Sequence, residues 1–104
     1  MKSALIQVDT GPTDTTPPTT AISCNGTTCS GTPYAGPVSV TLVATDDPGG
    51  SGVAEIRYTT DGTDPTATTG TVYTTALSVS STTTVKYRAF DIAGNAEPVN
   101  SQLI

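Results

Sequence analysis

Two stretches decide the fold: Tyr58-Thr59-Thr60-Asp61-Gly62-Thr63-Asp64-Pro65-Thr66 and Val85-Lys86-Tyr87-Arg88-Ala89-Phe90-Asp91-Ile92-Ala93-Gly94-Asn95. Each belongs to an alternating pattern that runs into a turn bearing Asp and Gly. Alternation of period two marks a strand with one face toward a core. Asp, Asn, Gly and Pro close such strands because they bond their own backbone, tolerate positive φ or fix φ. In the second stretch Val85, Tyr87 and Ala89 point inward and Phe90 outward.

The same reading extends along the chain. Residues 20–24 form a short first strand with Ile22 inward. Residues 38–45 alternate cleanly, with Val38, Val40 and Leu42 on one face and Ser39 and Thr41 on the other. Asp46-Asp47-Pro48-Gly49-Gly50-Ser51-Gly52 is a turn. Residues 53–60 follow, with Ala54, Ile56 and Tyr58 inward and Glu55 and Arg57 outward. Short strands are expected over 71–73 and 76–79, a strong one over 83–90, and a last one over 96–103. Pro98 marks the last as an edge or bulged strand, since proline cannot donate to a ladder. Seven strands without a helical period predict an all-β antiparallel sandwich of the immunoglobulin-like or fibronectin type III-like kind.

Composition agrees. Thr and Ser fill almost a third of the 104 positions, and Gly and Pro are frequent. β-Branched Thr suits strands. The formal net charge is −5, with only four Lys and Arg. That disfavours nucleic acid, whose phosphates need cationic side chains, and anionic membrane surfaces. No signal peptide or membrane span is evident, so a signal for an exported parent would lie elsewhere in a longer polypeptide. The isolated unit is expected to be monomeric, its partners being neighbouring domains of the same polypeptide.

Cys24 and Cys29, separated by Asn25-Gly26-Thr27-Thr28, are the two cysteines, and the chain has no His. Two thiolates cannot fill a structural zinc site of four ligands. A thioredoxin-like pair needs two intervening residues and a βαβ setting. The expectation is a disulfide across a tight loop, which places the protein in an oxidising compartment, secreted or on a cell surface.

Residues 9–20 hold no apolar residue except proline, a composition that favours an extended, semi-rigid spacer. Lys2-Ser3-Ala4-Leu5-Ile6 matches Asn100-Ser101-Gln102-Leu103-Ile104 in pattern. Residues 1–16 are therefore read as the tail of a preceding repeat plus a Pro/Thr-rich linker, and 17–104 as the module. In the competing reading, residues 4–8 add an edge strand to this domain.

Arg57 to Thr66 resembles the Tyr-Thr-Thr-Asp-Gly-Ser-Asp-Pro-Thr signature of the chitobiase/β-hexosaminidase C-terminal domain family. Lys86 to Asn95 resembles the strand and Asp-x-x-Gly-Asn turn that close its pattern. The turn over 46–52 followed by Val53-Ala54 is similar to the opening of related bacterial immunoglobulin-like repeats. The resemblance covers about residues 17–104. It implies a non-catalytic appendage of secreted glycoside hydrolases or other polysaccharide-active or surface proteins, often in tandem. The Cys loop is not part of the family's general pattern.

No catalytic residue is expected. A Ser-His-Asp triad is impossible without His, and most of the carboxylates sit in turns. Calcium, which takes six or more oxygens, is the cofactor to consider: Asp46, Asp47, Asp91 and Asn95 would meet where two loops share one end of a sandwich. The competing roles are local, with Asp46 capping its turn and Asp91 ordering the one after it. Asp61 and Asp64 fall at the opposite end, in a turn-forming role. Sugars usually stack on exposed rings. Tyr34, Tyr73 and Phe90 are the candidate contacts to an insoluble polysaccharide, although no planar strip is evident. The expected function is a spacer or presentation module. The alternatives are a weak carbohydrate-binding module and an adhesin stalk repeat.

Overall fold

A computed structural model describes residues 14–31 and 33–104. It forms two antiparallel four-stranded sheets. β1 (Thr19–Cys24), β2 (Thr27–Thr28), β3 (Val38–Thr45) and β6 (Leu77–Val79) make the first, in the order β2-β1-β3-β6. β4 (Val53–Thr59), β5 (Thr71–Val72), β7 (Thr84–Asp91) and β8 (Asn100–Leu103) make the second, in the order β5-β4-β7-β8. No helix occurs among the described residues, and so none long and apolar enough to cross a membrane. The suggested repeat tail at residues 1–9 lies outside the described residues.

The sandwich is the one the alternation predicts. Val38, Val40 and Leu42 face Val85 and Tyr87 across the core, joined by Cys24, Val79 and Ile104. Ile22, Ile56, Tyr58, Tyr73 and Leu77 pack around them, partly buried.

There are eight strands rather than seven because Asn25-Gly26 forms a two-residue hairpin turn. Both residues have positive φ, 52° and 80°, the geometry that a tight turn between twisted strands needs. Cys24 pairs with Thr27 across it.

Two expectations about side-chain direction and one about a strand boundary are corrected. A bulge between Val53 and Glu55 shifts the register of β4 and leaves Ala54 exposed, not inward. Phe90 is buried, not outward: the chain folds back beside it after the turn, bridging at Ala96, and Arg88 lies over its ring at 5.7 Å. The last strand begins only at Asn100, although β8 is an edge strand as Pro98 implies.

Strand directions define two ends. Thr19 pairs with Thr45, and Val53 with Asp91, so the linker side of β1 shares a pole with the β3–β4 turn and the turn after β7. At the far pole Ile104 exchanges backbone bonds with Thr83 and lines a cleft with Val38 and Val79.

Candidate functional site

At the linker pole the two turns are built by their own carboxylates. Asp46 Oδ1 accepts the Asp47 N–H at 2.9 Å and its Oδ2 accepts the Gly52 N–H at 2.8 Å, which folds the chain back from β3 into β4. Asp91, 3% exposed, accepts the Asn95 N–H at 2.7 Å and the Asn95 side-chain amide at 2.9 Å. Gly94, at φ 95°, makes the reversal between them. The turns touch: Ile92 N–H donates to the Gly52 carbonyl at 2.9 Å, and Ala93 N–H to Ser51 Oγ at 3.0 Å.

The pattern of the sequence missed a fifth participant. Asp14, in the linker, receives the Ser51 N–H at 2.8 Å and the Ser51 hydroxyl at 2.6 Å, both on Oδ2. Its carbonyl accepts the Asn95 amide at 2.7 Å. The Ser51 hydroxyl, first, and the Ser51 amide, second, hold the Asp14 carboxyl far below its ordinary pKa.

Asp14, Asp46 and Asp91 thus offer one carboxylate oxygen each within 4.8 Å of one another. Asp47 lies beside them with Oδ1 buried and without a hydrogen-bond partner. The Asp46 carboxyl, to which Asp47 can hydrogen-bond only in its protonated form, and then burial, raise its pKa. The Cβ position of Gly50 is 2.6 Å from Asp47 Oδ1 and 2.7 Å from Asp46 Oδ2, so any larger residue there would push the carboxylates apart. The described cationic side chains are engaged elsewhere: Arg57 with Glu55, Lys86 with Asp64, and Arg88 with the Glu97 carbonyl. Hard divalent cations take such a set of oxygens.

The three rings do not assemble. Tyr73 packs edge-on against Tyr58 at 6.4 Å and joins the core periphery. Phe90 is buried at the linker end of β7. Tyr34 lines a far-pole cleft of about 190 Å³ with Pro33, Val38, Val79 and Ile104. Its hydroxyl accepts the Ser30 N–H at 2.9 Å, tying the ring to its own loop.

Cys24 and Cys29 form a disulfide, S–S 2.00 Å, spanning the β1–β2 hairpin. Cys24 is buried in the core and Cys29 packs against it.

Comparison with known families finds the Chitobiase/beta-hexosaminidase C-terminal domain over residues 28–101, from β2 into β8. That domain is an immunoglobulin-like accessory unit of glycoside hydrolases and not their catalytic part. No curated protein and no solved structure matches the chain. With most of its length matched and the sandwich in place, the chain belongs to the chitobiase/beta-hexosaminidase C-terminal domain family.

Proposed function

We propose that this chain is a spacer and presentation module of a larger secreted polysaccharide-active or surface protein. One observation carries the reading: residues 14–18 and Ile104 lie at opposite poles of the sandwich. Flanking polypeptide would leave in opposite directions, so neighbours would be held apart along the strand axis. The disulfide supports an extracellular setting, since such bonds persist in oxidising compartments.

The aromatic side chains favour spacing over sugar binding. Two of the three candidate rings are packed against the protein, and the third is held by its own loop. A depletion assay on insoluble chitin, cellulose and xylan tests this. The protein should remain in the supernatant with all three. Depletion on one polymer that Tyr34→Ala abolishes would replace the spacer with a carbohydrate-binding module.

The linker pole is also where we place calcium. The buried, unpartnered Asp47 oxygen and the absence of a cationic partner for the carboxylates among the described residues support this assignment.

A further inference from the structure

We propose that residues 14–18 are a latched strap belonging to the rigid body of the module, and that Asp14 is the latch that fixes the direction in which the preceding polypeptide arrives. The inference rests on the spacer reading for its purpose, and on the geometry of residues 14–18 for its substance.

Composition alone makes this segment a spacer between folded units. Its contacts make it part of one. It is fastened at two points. At the inner point, Pro18 is fully buried where the chain enters β1. At the outer point, Asp14 bridges two separate turns: Ser51 of the β3–β4 turn holds its carboxylate through two bonds, and Asn95 of the turn after β7 holds its carbonyl. The Thr16 N–H closes back on Asp14 Oδ1 at 3.1 Å. Between the fastenings the backbone has little freedom left. Pro17 and Pro18 have fixed φ, and the residue before each is confined to extended backbone. A segment pinned at both ends and stiffened between them cannot swivel. The rigid module therefore begins at Asp14 rather than at Pro17.

Asp14 also suits the task chemically. Bonds to a carboxylate are stronger than those between neutral groups, and Ser51 presents its amide and its hydroxyl to the same oxygen. Ser51 is further braced by the Ala93 N–H, so the latch joins strap, first turn and second turn into one network. Removing the Asp14 carboxylate cuts both bonds from Ser51 and leaves only the Asn95 bond to the backbone carbonyl, so the strap should loosen while the sandwich stays unchanged, because none of the lost bonds reaches the core.

The test is backbone ¹⁵N relaxation on the whole chain, with chelator present so that no bound ion contributes. In the wild type the Thr15 and Thr16 amides should show order parameters near those of Val40 and Val85, about 0.85 for rigid backbone. In Asp14→Ala they should fall toward about 0.6, with Val40 and Val85 unchanged. Ser51→Ala should give an intermediate loss. Thr15 and Thr16 already flexible in the wild type, or unmoved in Asp14→Ala, would overturn the latch. Either result leaves the polymer depletion assay untouched, so failure of the latch and failure of the spacer reading are told apart.

Discussion

The Glu97 carboxylate takes two hydrogen bonds from Thr20, one from its amide at 3.2 Å and one from its hydroxyl, while the Ala89 N–H donates to it at 2.9 Å. Thr20 is in β1 of the first sheet and Ala89 in β7 of the second, so one carboxylate, 6% exposed, ties the two layers together. Glu97→Ala would leave two buried amides and a hydroxyl without their acceptor. Hydrogen bonds to a charged group contribute about 1.5–3 kcal/mol each, and a buried donor left unpaired costs about 1–3 kcal/mol. The variant should lose on the order of 3 kcal/mol in urea unfolding; an unchanged midpoint would show that water replaces the carboxylate freely.

Reducing the Cys24–Cys29 disulfide should destabilise the protein by about 2 kcal/mol, the loop-entropy value for so short a ring. The effect should be confined to the hairpin end of the first sheet. Hydrogen exchange checks this: amides of β1 and β2 near the bond should exchange faster, and those of β7 should not.

Asp61 offers a pH test far from the carboxylate cluster. Its Oδ1 receives the Thr63 hydroxyl at 2.6 Å and the Thr63 N–H at 3.1 Å. The hydroxyl, first, and the amide, second, lower its pKa from the ordinary 3.8. A folded value below the unfolded one means that this turn contributes stability above the unfolded pKa and loses it as pH falls through the folded one. A carboxyl NMR titration should place Asp61 below the ordinary midpoint, and Thr63→Ala should bring it part of the way back.

Calcium should raise the melting temperature relative to chelator, because an ion that binds only the folded state stabilises it by mass action. Asp91→Asn and Asp14→Ala should each shrink the difference. Coincident wild-type curves would remove calcium from the linker pole.

Much of this was legible in the sequence, for identifiable reasons. Val38, Val40 and Leu42, and Val85 and Tyr87, sit in long strands whose alternation reports their burial directly. Asp46, Asp91 and Asn95 could be placed together because sandwich topology brings their two turns to one pole. The Asn25-Gly26 hairpin carried a clear turn signal, but β2 has two residues and cannot show a period. Ala54 and Phe90 were misplaced because a bulge and a returning chain override alternation locally. Asp14 and Glu97 escaped notice because a carboxylate held by partners 37 or 77 residues away in sequence leaves no local pattern.

The most direct test of the spacer account is small-angle scattering from two copies joined in tandem. The account predicts an extended particle whose maximum dimension approaches that of two modules laid end to end, with little conformational spread. A compact particle, with the modules folded side by side, would contradict it.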